Sequence, residues 1–153
     1  YEMSASLVGS EMCIRDRIHC NDKTGPYPGI IELLRELKKH NIKMGIATNK
    51  VKSAADKLNE IYFEGLIDEV AGVEDGIIPK PDRCMIDNLM KRLNATTDET
   101  LYVGDSQVDV STARNTGLDM VAVLWGFRTR KELEESGAMV FIDDPMEILD
   151  KVL

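Results

Sequence analysis

TLYVGDSQVDVSTARNTGLDMVAVL, residues 100–124, is the stretch on which the fold turns. Residues 100–103 are a short apolar run, Gly104 lets the backbone leave it sharply, residues 108–115 suit a helix, and residues 120–124 are a second apolar run. A strand, a helix and a strand in so short a span form a crossover unit, and such units pair their strands in parallel. Toward the N-terminus the pattern repeats: residues 82–93 read as a helix, 67–71 as a strand, about 53–62 as a helix, and 42–48 (IKMGIAT) as a buried strand. Before these, Pro28-Gly29 leads into Ile30, Ile31, Leu33, Leu34 and Leu37 at helical spacing, and Lys38, Lys39 and His40 complement the dipole of the last turn. Toward the C-terminus, residues 129–136 suit a helix and 139–142 a short strand, and Pro145 opens a terminal helix. This alternation implies an α/β fold, a Rossmann-like three-layer α/β/α core with a parallel sheet covered on both faces.

A chain of 153 residues with 43% hydrophobic residues is one domain with a real core. No apolar run approaches the roughly 18 residues of a membrane-spanning helix. Acidic residues outnumber basic ones 27 to 19, and the net charge of −8 repels nucleic acid and anionic lipid, which excludes both as partners. Cys13, Cys20 and Cys84 are odd in number and lack metal-ligand spacing, so they read as free thiols in a reducing, cytoplasmic setting.

Residues 1–17, YEMSASLVGSEMCIRDR, show neither helical nor strand periodicity and no targeting pattern. SLVGSEMCIRD resembles translated sequencing-adapter read-through, which would make this segment an artefact; the alternative is a native, disordered tail. Either way it is set apart from the functional reading, which begins near Ile18.

Ligands of open parallel sheets bind at the carboxyl ends of the strands. There the chain carries Thr48-Asn49, a hydroxyl and an amide beside backbone N–H groups that can hold a phosphate oxygen; alone, Thr48 also fits a helix cap. After the next strand comes Lys80-Pro81, where an inward lysine could neutralise a transferring phosphoryl group and an outward one would simply be solvated. Asp105 sits at the tip of the strand after Gly104, and Asp109 follows four residues later, close enough to face one pocket. Two such carboxylates repel one another unless a cation or a proton lies between them. Hard oxygen ligands without histidine or cysteine neighbours select Mg²⁺; the plainer alternative is that both aspartates cap a helix.

Thr-Asn after a strand, then Lys-Pro, then GDSQVD, in that order, resembles the haloacid dehalogenase superfamily, in particular its phosphoglycolate phosphatase-like branch. PYPGI before a helix, ATNK, IPKP and the later LWGF add to the likeness, which runs from Gly25 to about Leu153. The resemblance implies a Mg²⁺-dependent hydrolase of phosphate monoesters, its substrate a small phosphorylated metabolite, working through an aspartyl-phosphate. It assigns Thr48 and the Asn49 backbone to the phosphoryl group, Lys80 to its charge, and Asp105 to the metal, with Asp109 supporting the metal directly or through water. The chain departs from the pattern at Arg83, where a second proline is usual.

The same resemblance calls for a DxDGT motif on a central first strand, whose first aspartate is the nucleophile, followed by a helical cap. The sequence contains no Asp-x-Asp and no such cap; residues 18–24 look like a cap remnant, and residues 25–153 like a partial core. The expectation is therefore a carboxyl-terminal portion of a longer phosphatase, missing its central first strand and catalytically dead. Two vacated strand edges would leave it marginally stable, and residues 5–8 are the apolar candidates to fill the slot.

Three other readings compete. A sugar-phosphate mutase, pyrophosphatase or nucleotidase of the same superfamily shares these motifs. A non-catalytic phosphate or Mg²⁺ binder needs no nucleophile. A signalling receiver domain has similar residues, but its acidic cluster precedes the threonine and lysine, whereas here the order is Thr48, Lys80, Asp105. Ser106, Trp125 and Phe127 either approach substrate or serve as helix start and packing. Met85, Leu89, Met90 and Leu93 form a core stripe, and His19 and His40 have no catalytic partner in sequence.

Overall fold

Successive side chains of a strand point to opposite faces, and here that alternation sorts two helical layers. In the computed structural model, which describes residues 2–4 and 25–153, the strands are β1 Glu2–Ser4, β2 Met44–Val51, β3 Glu69–Val73, β4 Thr100–Gly104, β5 Asp119–Val123 and β6 Phe141–Ile142. They form one six-stranded parallel sheet in the order β3-β2-β1-β4-β5-β6. The helices are α1 Ile30–Lys39, α2 Lys52–Tyr62, α3 Cys84–Leu93, α4 Gln107–Thr116, α5 Arg130–Ser136 and α6 Leu149–Val152. Met44, Ile46, Val70, Leu101, Val103, Val121 and Val123 join a core with Leu33, Leu34 and Leu37 of α1 and Ala55 of α2. The intervening Ala47, Ala71 and Tyr102 meet Met85, Ile86, Leu89 and Leu93 of α3 and Ala113 of α4, and Ala122 meets Val110 and Leu133. The expected three-layer α/β/α architecture and the core role of the Met85–Leu89–Leu93 stripe are thus observed.

Small residues let α3 lie close to the sheet: a Cβ on Gly45 would stand 2.9 Å from Leu93 and 3.1 Å from Leu89. The α1 turn starts one residue after Pro28, on Gly29, whose φ of 85° is a left-handed geometry suited to glycine.

Several boundaries differ from the sequence reading. Ile42 and Ile67 are buried as expected, yet both lie before their strands begin. The reason is Asp68, whose backbone N–H donates to the Met44 carbonyl and whose carboxylate accepts from the Met44 N–H, delaying the start of β2 and β3. At its other end β2 runs past Thr48, with a register shift against β3 between Ala47 and Val51. The last strand shortens to two residues, and Pro145 opens a 3₁₀ turn, Pro145–Ile148, ahead of the short α6.

The place between β2 and β4, expected to be vacant, is taken by Glu2–Ser4, paired in parallel with both neighbours. An empty slot would leave rows of unpaired N–H and C=O groups on two central strands, and even a three-residue segment satisfies part of them. Residues 5–8, the expected candidates, lie outside the described residues, as do the cap remnant at 18–24, Cys13, Cys20 and His19. Chain order reverses between β1 and β4, which puts the crevice of this sheet type at the carboxyl ends of those strands. Among the described residues no helix is long and apolar enough to cross a membrane.

Candidate active site

Three strand ends and one loop meet above that crevice. The loop between β3 and α3 is tied to the end of β2 by Asn49, whose side chain grips one backbone unit from both sides. Its Oδ1 accepts from the Lys80 N–H at 2.8 Å, and its Nδ2 donates to the Lys80 carbonyl at 2.9 Å. The sequence reading assigned Asn49 to phosphate through its backbone; the clamp on Lys80 is an additional role that residue type alone does not reveal.

So held, Lys80 turns inward. Its Nζ donates to Asp109 Oδ1 at 2.8 Å and to the Tyr102 hydroxyl at 3.2 Å, and its side chain is only 9% exposed. The solvated-lysine alternative is thereby set aside. Tyr102, on β4 and fully buried, in turn donates to Asp109 Oδ1 at 2.9 Å. Asp109 Oδ2 accepts from Ser106 Oγ at 2.6 Å and from the Asp105 N–H at 3.2 Å. Four protein donors thus converge on one carboxylate, which accounts for its usual lone-pair capacity.

Charge follows from these contacts. Burial opposes ionisation of both Lys80 and Asp109, but their mutual attraction and hydrogen bonds more than offset it: the ammonium is held above the ordinary lysine value and the carboxyl below the ordinary carboxylate value. Burial is also the main cause that pushes the Tyr102 phenol up, so it stays neutral and keeps its proton.

The helix-cap alternatives do not hold. Ser106 is the N-cap of α4, its Oγ accepting from the Asp109 N–H at 3.2 Å, so neither aspartate caps that helix. Thr48 does not cap α2, whose N-cap position is Val51; its Oγ1 instead accepts from the Lys50 N–H at 3.2 Å. Asp105 is buried at the strand tip. Gly126, two residues past the end of the β5 apolar run, has no Cβ because one would fall on the Asp105 carboxylate. Gly104 has a related explanation that differs from the sharp turn expected of it: it is the last residue of β4, and a Cβ there would fall on Asp109.

The other singled-out residues separate. Trp125 packs on the α1 side of the core, and Phe127 is 58% exposed. His40 ends α1, and Arg83 pairs with Asp87 at 2.6 Å on the α3 surface. The residue that sequence reasoning missed is Tyr102, whose one signal was a hydroxyl inside an otherwise apolar strand three residues before Asp105.

The acidic side chains at the end of β4 that could hold a hard cation are Asp105, at the strand tip, and Asp109, four residues on. Asp105 is buried, a Cβ on Gly126 would fall on its carboxylate, and Mg²⁺ asks a protein for only one or two carboxylates. Asp109 already accepts from four donors, and among the described residues no group of three or more histidine, cysteine or acidic side chains could hold a metal.

The sequence model of the haloacid dehalogenase-like hydrolases matches residues 12–123. A phosphoglycolate phosphatase of Rhodospirillum rubrum is 35% identical over 121 residues, 77% of this chain and 49% of that protein. A phosphoglycolate phosphatase of Pseudomonas syringae pv. syringae is 29% identical over 142 residues, 92% of this chain and 52% of that protein. A solved structure from Lactobacillus delbrueckii subsp. bulgaricus, of a protein assigned as a phosphoglycolate phosphatase, superposes with a TM-score of 0.86 at 38% identity, over 89% of this chain and 57% of that one. The chain spans about half the length of the curated relatives it matches. With the sequence model matching most of the chain and the fold superposing on that solved relative, the chain belongs to the haloacid dehalogenase-like hydrolase family.

Proposed function

We propose that this chain carries the phosphate-holding part of a phosphate monoester hydrolase of the phosphoglycolate phosphatase type. The single observation that carries the reading is the buried Lys80 ammonium, fixed at the carboxyl ends of the strands by Asp109, Tyr102 and the Asn49 clamp. A buried, fully protonated lysine supported in this way offers a preorganised positive charge to an incoming dianion, and it costs no reorganisation when the anion arrives. Thr48 Oγ and the backbone N–H of Asn49 take phosphoryl oxygens, and Lys80 compensates their charge. Asp105 holds Mg²⁺, which when bound supplies further charge neutralisation. Asp109 serves this site through Lys80, to which it is bonded at 2.8 Å, and supports the metal directly or through water.

The 153 residues contain no Asp-x-Asp, so no aspartate stands where the family resemblance puts the nucleophile. The same observation favours a second reading, a phosphate-binding module without turnover, and on either reading this chain binds phosphate and does not hydrolyse esters. Purified chain mixed with Mg²⁺ and p-nitrophenyl phosphate is expected to release no nitrophenol. Turnover that disappears in Asp105→Ala would overturn that expectation. Mutase, pyrophosphatase and nucleotidase chemistry share these residues, and a panel of phosphate esters and pyrophosphate tested for binding ranks them.

A further inference from the structure

Among the side chains that touch the Lys80 ammonium, the Tyr102 hydroxyl both gives and takes a hydrogen bond. Its proton goes to Asp109 Oδ1 at 2.9 Å, and its lone pair receives the Lys80 ammonium at 3.2 Å. A phenol can do both at once; a carboxylate only accepts and an ammonium only donates. The three groups close a triangle, since Lys80 also donates to Asp109 at 2.8 Å. Side-chain exposures of 9% for Lys80 and 4% for Asp109, with Tyr102 itself 1% exposed, leave water little chance to replace a missing partner.

Without the phenol, the ammonium would have one acceptor among the described residues, Asp109, and none of those residues would set its rotation about that bond. With it, two of the three ammonium protons are assigned, and the third is fixed in direction by tetrahedral geometry. We infer that Tyr102 is a positioning residue: it orients the Lys80 ammonium so that its remaining N–H is presented to the bound phosphate. The inference rests on the phosphate reading proposed above. Tyr102 touches neither phosphate nor metal and acts through Lys80 alone.

Inorganic phosphate with Mg²⁺ is the probe, titrated calorimetrically into the full chain, into Tyr102→Phe and into Thr48→Ala, well below the unfolding midpoint of each. The expected result is one-site binding by the unsubstituted chain and about tenfold weaker binding by Tyr102→Phe, equivalent to about 1.4 kcal/mol. Equal binding by Tyr102→Phe, with loss in Thr48→Ala, overturns the role of Tyr102 and leaves the phosphate reading intact. No binding by the unsubstituted chain overturns both. If Tyr102→Phe does not fold, uniform 3-fluorotyrosine labelling of the four tyrosines supplies the readout. The Tyr102 fluorine resonance, assigned by Phe substitution of the other three, is expected to shift on saturation with phosphate, and an unchanged resonance overturns the inference.

Discussion

Lys80 and Asp109 meet at 2.8 Å with side chains 9% and 4% exposed; Arg130 and Glu134 on α5 meet at the same 2.8 Å with side chains 59% and 50% exposed. Equal distance here does not mean equal energy. In water each member of the α5 pair keeps most of its solvation when the other is removed, so the pair is worth little. In the site, removal of one member strands a charge that has already lost its solvent. The site pair also has helpers, Tyr102, Ser106 and the Asp105 N–H, whereas the α5 pair is an exposed contact between two side chains of one helix, with Lys131–Glu135 beside it at 3.9 Å.

Breaking the comparison at its strong end gives the largest expected effect. Lys80→Met or Asp109→Asn alone is expected to cost about 3–5 kcal/mol in denaturant unfolding. Lys80→Met combined with Asp109→Leu should recover much of that loss, because apolar replacement of both partners removes the stranded charge. A double variant no more stable than the singles would mean that the helpers, and not the pair, set the energy.

Gly126→Ala comes next, at about 1–3 kcal/mol from overpacking, because its Cβ must push the Asp105 carboxylate aside. Phosphate binding in the presence of Mg²⁺ should weaken with it, as isothermal titration would read.

The pair also sets a pH signature. Asp109 titrates below the ordinary carboxylate value, so its contribution is present at neutral pH and is lost as pH falls below about 4. Lys80 is raised, so its contribution is complete below the ordinary lysine value and is lost only in strong alkali. The stability gap between the unsubstituted chain and Asp109→Asn should therefore be widest near neutrality and narrow toward pH 3, by urea unfolding at stepped pH.

Smaller effects lie on α5. Thr129 closes a capping box with Glu132, and Thr129→Ala should cost about 1 kcal/mol. Glu134→Ala should change stability by less than about 0.5 kcal/mol, and half-molar salt should erase even that.

How much of this was legible in sequence depends on how local the cause is. Alternating apolar runs placed every strand from β2 to β6 and helices α1 to α5 within a few residues, because burial of one face is written in the spacing itself. Thr48, Asn49, Lys80, Asp105 and Asp109 stand out in the sequence by motif order at strand ends, and the structure gathers Asn49, Lys80 and Asp109 into one bonded cluster. What escaped were relations between distant residues. Asn49 gripping Lys80 spans 31 positions, and Lys80 reaching Tyr102 spans 22; no periodicity carries such information. Gly104 and Gly126 looked like turn residues or motif letters, and only the packed site shows that each makes room for an aspartate. Of the four donors to Asp109, Tyr102, Ser106 and the Asp105 N–H lie within seven residues of it, and the fourth, Lys80, is 29 positions away.

The central claim, that the buried lysine cluster holds phosphate, is tested most directly by phosphorus NMR of inorganic phosphate with the full chain and Mg²⁺. The account predicts saturable broadening or shift of the phosphate signal, lost in Thr48→Ala while that variant keeps its thermal midpoint within a degree or two. A phosphate signal that the chain leaves untouched, or that Thr48→Ala perturbs as strongly as the unsubstituted chain does, would contradict it.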